Sequence, residues 1–529
     1  MGSVSLLDCT LRDGGYINDW KFGYRTILDT FYRLNNSGIE FVEIGFLDER
    51  CDFDKDRTIQ PTTVCYDKIF ENVKEKKVNV VAMIDYGTCS EENIGMADES
   101  FIDGIRIIFK KNNMKNSVDF GRKIKEKGYK VFLQLVSITS YSDRDILDFI
   151  DLVNQLNPFA VSIVDTYGLM HREKMLHYFH LLDYNLNKEI NIGFHSHNNF
   201  QLAYANSIEL VKLKTKHSIL LDGSIFGMGK NAGNTPIELL FMYMNEQGNK
   251  NYDVNQILGI IDLTVNKIYK VTPWGYSMPL FLAAANDCHP NYVKTLIGKN
   301  SLTIRSINDI LKMISEEDKL NYNRELIEKL YCKYQRTKLC DKNVEELIDN
   351  LKGKEILLIG PGLSVLKEKD TIDSFIRDNQ VIIISVNCIP DFDLDYLFVG
   401  NDKRYSMLSS LCGLSKDVKI IATSNVSSIR DEFNYILNFE KLSNDNELIF
   451  DNSFIIALKI LKQAQIKKVY LAGFDGFSKD NLNYFDEYMD FKSDFEKLSK
   501  INFAIKSEIE KIGQDIVLEF ITSSFYSGE

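Results

Sequence analysis

From the N-terminus, short apolar and β-branched runs alternate with longer stretches in which apolar residues recur at helical spacing. The strand-like runs are SLLDCTL, FVEIGF, VNVVAMIDY, GIRIIF, YKVFLQLVS, AVSIVDTYG, INIGFHSH and SILLDGSIFGMG. Between them lie amphipathic stretches such as YRTILDTFYRLNNSG, DFGRKIKEKG, DILDFIDLVNQL and NNFQLAYANSIELVKLK. Strands that are apolar nearly throughout are covered on both faces, and strands separated by helices run parallel. Eight such repeats in about 235 residues match a closed (β/α)8 TIM barrel better than an open doubly wound sheet.

The pattern changes twice further on. NQILGIIDLTVNKIY, INDILKMISEED and NRELIEKLYCKYQ read as helices, with prolines 273, 279 and 290 between the first two. At EILLIG a second α/β pattern starts and continues through QVIIISVN, DYLFVG, VKIIAT and KKVYLAGFDG. The expected fold class is therefore α/β. A TIM barrel over 1–250 is followed by a helical appendage and connector over 251–350 and a Rossmann-like α/β domain over 351–529.

Composition narrows the function. A formal charge of −12 argues against bulk nucleic-acid binding and against adsorption on anionic membranes. No apolar run reaches membrane-span length, and the start lacks a signal-peptide pattern, so a cytoplasmic protein is expected. The nine cysteines form no CxxC pair, which suits a reducing compartment. All seven histidines precede residue 290.

In a barrel of this kind the chemistry gathers at the C-terminal strand ends. Those ends offer Arg12 and Asp13 from the first strand, Glu43 from the second, and Asp85 with Tyr86 from the third. The fourth offers at most Arg106, and the sixth offers Asp165, Thr166 and Tyr167. The seventh supplies His195 and His197, and the eighth ends in GMGKNAGN with Asn234. Residues two apart on a strand share a face, so both imidazoles point to the barrel axis. One carboxylate and two imidazoles leave open positions for substrate oxygens and suit Mn²⁺, Mg²⁺, Zn²⁺, Fe²⁺ or Co²⁺. Arg12 reads either as a salt bridge closing the sheet end or as a donor to a developing oxyanion.

At these residues the sequence resembles the metal-dependent pyruvate-type aldolases and lyases, the DRE-TIM metallolyases. TLRDGG, VEIGF, DTYG, HSHNN and GMGKNAGN stand in that family's order over about residues 4–290. The family includes 4-hydroxy-2-oxovalerate aldolase, HMG-CoA lyase and the isopropylmalate and citramalate synthases. The resemblance implies that Asp13, His195 and His197 bind a divalent metal, Mn²⁺ or Mg²⁺, with Asn234 beside it or as a fourth ligand. It implies that Arg12 stabilises the enolate of a 2-oxo acid and that Glu43, Thr166, Gly227 and Gly229 border the substrate. The GMGxNAGNTPIELL form and the double asparagine look most like the hydroxy-oxovalerate aldolase branch. Those aldolases carry a histidine three residues after the metal-binding aspartate, where this chain has Tyr16. Tyrosine near a divalent cation can have its pKa lowered enough to shuttle a proton. An acyl-CoA-dependent condensing synthase, or a non-catalytic barrel, is the alternative reading.

The last third loosely resembles bacterial sialyltransferases and related nucleotide-sugar-binding domains through IGPGLSV, IIISVN and VYLAGFDGF. That places a nucleotide or nucleotide sugar near Gly360, Gly362, Ser364, Asn387 and Asp475. A glycine turn directly after a strand would present its amides to a phosphate, although the third glycine of GxGxxG is missing. Transfer chemistry is not expected, since no histidine is available there as base. The expected partners are a 2-oxo acid and an aldehyde, sugar-like if the second domain binds nucleotide sugars for surface-polysaccharide synthesis. A homo-oligomer is also expected.

Overall fold

The computed structural model describes residues 2–527 except 249, 320, 338–339, 410–414, 416, 428–431, 480–481 and 491–493. Their contacts divide into two compact units, Met1–Ala285 and Asn286–Glu529. The helices read as a connector fall on both sides of that division. Val254–Ile260 runs through a π turn at Ile261–Val265 into Asn266–Val271 in the first unit, while Ile304–Leu311 and Arg324–Gln335 belong to the second.

The first unit is an eight-stranded parallel barrel with flanking helices. Its strands are β1 (Val4–Asp8) and β2 (Phe41–Leu47), then, after the short edge strand β3 (Ile59–Gln60), β4 (Asn79–Asp85) and β5 (Gly104–Phe109). They continue as β6 (Lys130–Leu135), β7 (Ala160–Asp165), β8 (Asn191–Ser196) and β9 (Ile219–Gly223). The barrel closes because β1 pairs on one side with β9, Leu7 opposite Asp222, and on the other with β2, Leu7 opposite Phe41.

Alternation along these strands builds the interior in layers. Leu7, Phe41, Val81, Phe132, Ala160 and Leu220 pack together as an apolar plug. Two residues further along their strands stand Glu43, Gln134, Ser162 and Asp222, joined by Arg106 from β5, and all five are buried. A polar layer thus rests on an apolar floor, directly beneath the C-terminal mouth. Outward-facing residues such as Val42, Ile44, Ile105, Ile107, Val131 and Leu133 join the helices in the main hydrophobic core.

The second unit holds a seven-stranded, all-parallel sheet. Its strands are β10 (Ile356–Ile359), β11 (Ile382–Val386), β12 (Tyr396–Val399), β13 (Lys419–Thr423), β14 (Tyr435–Leu437), β15 (Lys468–Ala472) and β16 (Val517–Phe520). They lie in the order β14-β13-β12-β11-β10-β15-β16. The order reverses between β10 and β15, and such reversals open a crevice at the strands' C-terminal ends. The sequence pattern did not reveal β14 and β16, one only three residues long and the other a partly exposed edge. Among the described residues no helix is long and apolar enough to cross a membrane.

Candidate functional site

The chain leaves β1 at Asp8 and enters one helical turn, Thr10–Asp13. Arg12 and Asp13 therefore stand on that turn rather than on the strand tip, and both are buried. Arg12 Nε donates to Glu43 Oε2 at 2.7 Å, and Arg12 Nη1 donates to Asp13 Oδ1 at 2.8 Å. Its third nitrogen, Nη2, is buried without a partner among the described residues.

The two imidazoles come from β8 and the residue just past its end. Ligand atoms of Asp13, His195 and His197 all lie within 4.8 Å of one another. His195 Nδ1 is 2.9 Å from Asp222 Oδ2, and His197 Nδ1 is 3.1 Å from the carbonyl oxygen of Gly233. Each imidazole thus has an acceptor holding one ring N–H, which leaves the other nitrogen's lone pair for a ligand bond. Asn234 donates from Nδ2 to Asp13 Oδ2 at 2.5 Å, while its carbonyl Oδ1 is buried without a partner. One carboxylate and two oriented imidazoles, with the Asn234 amide beside them, are a donor set that fits a divalent cation.

Glycines make this approach possible. A Cβ on Gly229 would come within 2.2 Å of Asn234 Nδ2 and 2.8 Å of Asp13 Oδ2, so a side chain there would displace the Asp13 carboxylate. Gly227, at φ 63°, accepts the Asn234 N–H at 3.0 Å and so places that residue. Thr166, at the end of β7, accepts the Ser137 N–H on its hydroxyl at 2.7 Å. Asp165 is used up locally by the Leu169 and Met170 amides, each at 3.1 Å.

A match to the family model described as HMGL-like spans residues 3–264. The barrel is an HMGL-like domain. It is similar to the oxaloacetate decarboxylase of Mycobacterium tuberculosis, 24% identical over 245 residues, covering 46% of this chain and 70% of that protein. It is similar also to the 4-hydroxy-2-oxovalerate aldolase of Marinomonas sp., 23% identical over 249 residues, with 46% and 70% covered. Among solved structures, an HMG-CoA lyase from Bacillus subtilis aligns with a TM-score of 0.39 and 16% identity, over 50% of this chain and 93% of that one.

Electrostatics in the HMGL-like barrel favour the metal-binding protonation states. Burial alone would raise the Asp13 pKa, but Arg12, His197, His195 and the Asn234 amide together hold it well below the ordinary carboxylate range. Burial pushes His197 down to about 4, so it is neutral at physiological pH. Although Tyr16 is 38% exposed, desolvation by the protein around it pushes its hydroxyl up to about 12 despite the pull of Arg12, so these surroundings by themselves hold it protonated, and a divalent cation nearby would pull the other way. Its ring packs on Trp20 and Phe46, and Lys230 Nζ stands 4.8 Å from its centre.

The residues that strand-end reasoning missed or set aside lie one layer deeper. Arg106 approaches Glu43 Oε2 at 3.0 Å, donates to Gln134 Oε1 at 3.2 Å and pairs with Asp222. Their signal was present, since GIRIIF and ILLDG each place one charged residue in an otherwise apolar strand.

In the second unit the glycine turn does not do what its sequence suggests. Gly360 and Gly362 donate their amides to the carbonyls of Ala472 and Gly473, each at 2.8 Å. The Ser364 N–H donates to Asp475 Oδ2 at 2.8 Å and its hydroxyl to Asp475 Oδ1 at 2.5 Å. The turn's donors are therefore consumed by β15 and the loop after it, and a carboxylate occupies the place expected for a phosphate. Beside it is a cavity of about 240 Å³, bordered by Gly362, Asn387, Asn401, Arg404, Asn452 and Asn483 among others. Each of those four asparagines accepts a backbone N–H on its carbonyl oxygen, from Gly400, Arg404, Ile455 and Ser478 respectively. Their amide donors have no partner among the described residues.

Proposed function

We propose that the barrel is a divalent-metal-dependent carbon–carbon lyase of the aldolase type, making or breaking a bond between a pyruvate enolate and an aldehyde. The observation that carries the reading is Arg12. Two of its nitrogens are fixed by Glu43 and Asp13, and the third is left over in a buried site beside the metal-type donor set. Asp13, His195 and His197, with Asn234 alongside, would hold Mn²⁺ or Mg²⁺. When bound, the cation supplies Lewis acidity to the carbonyl and carboxylate oxygens of the 2-oxo acid. Arg12 Nη2 donates to the enolate oxygen as negative charge grows there, in a buried site where such a donor is strongest. Tyr16, protonated at neutral pH, gives its proton to the aldol oxygen in the direction of synthesis and recovers it in cleavage. The names of the relatives support this class.

The test is a pyruvate methyl-exchange assay in D₂O with Mn²⁺-loaded protein, followed by a panel of aldehydes. Exchange that is abolished by chelation supports the reading, and absence of exchange with metal bound overturns it.

For the second unit we propose an acceptor-rich ligand of the nucleotide or nucleotide-sugar class. Support comes from the cavity by the sheet's reversal point, which is bordered by Arg404 and by four asparagines whose amide donors are free. A sugar-like aldehyde in surface-polysaccharide synthesis would join the two activities. Calorimetry of the full chain with cytidine and uridine nucleotides tests the ligand. Arg404→Met should weaken binding, and no heat from any nucleotide overturns it.

A further inference from the structure

We infer that Arg106 and Asp222 are positioning residues for the metal site, with Asp222 fixing His195 and Arg106 tying that histidine to the Arg12 arm. The inference rests on the metal-lyase reading above and adds two residues that touch neither metal-type donor set nor substrate position directly, apart from Asp222 through the far side of an imidazole.

The observation is a chain of buried charges that leads from one ligand to another. Asp13 pairs with Arg12 at 2.8 Å, Arg12 with Glu43 at 2.7 Å, and Glu43 with Arg106 at 3.0 Å. Arg106 then pairs with Asp222, and Asp222 with His195 at 2.9 Å. His195 Nε2 lies 3.9 Å from Asp13 Oδ2, the gap in the chain. Each end of the chain is a metal-type ligand, so a cation between them would complete the circuit. Three carboxylates and two guanidiniums leave the chain with a net charge of −1, a balance that favours a cation in the gap.

Stability does not explain this arrangement. The layer beneath fills the same cross-section with apolar side chains. Buried ion pairs are often no better for folding than well-packed hydrophobic residues. A carboxylate on the distal nitrogen of a metal-binding histidine fixes its tautomer and ring orientation, and removing it typically weakens metal affinity 10–100-fold. Arg106 supports that carboxylate and, at the same time, Glu43, the one that holds Arg12. Its planar fork reaches β2 and β9 while Gln134 on β6, itself donating to Ser162 at 3.0 Å, braces it from a third strand. Lysine carries the charge on a single point and cannot reproduce that fork.

The two arms separate experimentally. Mn²⁺ affinity is measured by chelator competition without substrate, alongside the thermal midpoint of the metal-free protein and pyruvate exchange at saturating metal. Asp222→Asn should weaken Mn²⁺ binding about 10–100-fold and leave exchange at saturating metal within a few-fold of the parent, since Arg12 and Glu43 stay in place. Arg106→Lys should weaken binding and also lower exchange at saturating metal, because Glu43 and with it Arg12 lose their brace. If Arg106→Lys fails to fold, Asp222→Asn, nearly identical in volume, carries the test alone. Mn²⁺ affinities equal to the parent's in folded variants overturn this inference and leave the lyase reading intact. Weakened affinities in variants of a parent that exchanges no pyruvate support the inference and overturn the lyase reading. A parent that binds no Mn²⁺ overturns both.

Discussion

Arg12 and Asp13 are neighbours in sequence and partners in space, the guanidinium donating to Asp13 Oδ1 while Asp13 Oδ2 faces the two imidazoles. One helical turn after the first strand therefore delivers both a guanidinium with one buried, unpartnered nitrogen and a metal-type ligand, and ties the position of each to the other.

The donor set gives the first expectation. His195→Ala and Asp13→Asn should each lose bound Mn²⁺ and abolish turnover while the barrel remains folded. Metal analysis of the purified variants together with circular dichroism checks this. Full activity in the presence of EDTA and in both variants would remove the metal from the reaction.

Arg12→Lys keeps the charge and loses the fork that serves Glu43, Asp13 and a ligand together. Turnover should fall by about two to three orders of magnitude, the usual effect of deleting one oxyanion donor. Metal content should stay unchanged. A variant that instead loses metal or unfolds would assign Arg12 to closing the sheet end.

Tyr16, with its hydroxyl pushed up to about 12, is expected to act as an acid at the aldol oxygen rather than as the base that removes a methyl proton. Tyr16→Phe should then slow aldol cleavage far more than deuterium exchange into the pyruvate methyl group. Equal losses in both assays would indicate general damage to the site, and no loss in either would exclude the hydroxyl.

Asp8 supplies a pH dependence of stability. Burial raises its carboxyl to about 7 from an ordinary value of 3.8, against the opposing hydrogen bonds from Thr10. Between about pH 4 and 7 the unfolded chain has released this proton and the folded chain still holds it, so the unfolded state binds fewer protons. The contribution of Asp8 is thus fully present below pH 4, falls as pH rises to 7, and is level above that, with a loss of a few kcal/mol at most. Asp8→Asn should flatten that fall, because an amide can keep the Thr10 N–H on its oxygen and donate to the Thr10 hydroxyl. Both tryptophans, Trp20 and Trp274, lie in the first unit, so urea titrations of the metal-free protein followed by tryptophan fluorescence report on the barrel alone. Parallel pH profiles for the two proteins would assign the effect elsewhere.

What the sequence could determine by itself was local in origin. Continuous apolar runs separated by helical periods gave the eight barrel strands, because burial on both faces leaves no room for polar alternation. The two-residue period of a strand put His195 and His197 on one face, and that reading needed no partner to be known. Gly229 of GMGKNAGN, expected beside a substrate, stands where any side chain would meet Asp13 and Asn234.

Tertiary structure decided every question of which side chain meets which. Arg106 and Asp222 are 116 residues apart and meet only because the barrel closes. Nothing in either segment names the other, although each shows an unexplained charge in an apolar strand. The glycine turn after β10 looked open to a phosphate until Asp475, 111 residues beyond Ser364, was seen to fill it. Tyr16 showed its chemical type in the sequence, yet its pKa rests on a balance between desolvation by the protein packed around it and the pull of Arg12, which the sequence does not show. A hydrophobic pattern fixes the face on which a side chain points, since that depends on its own backbone. Its partner and its protonation state depend on what the fold brings against that face from elsewhere in the chain.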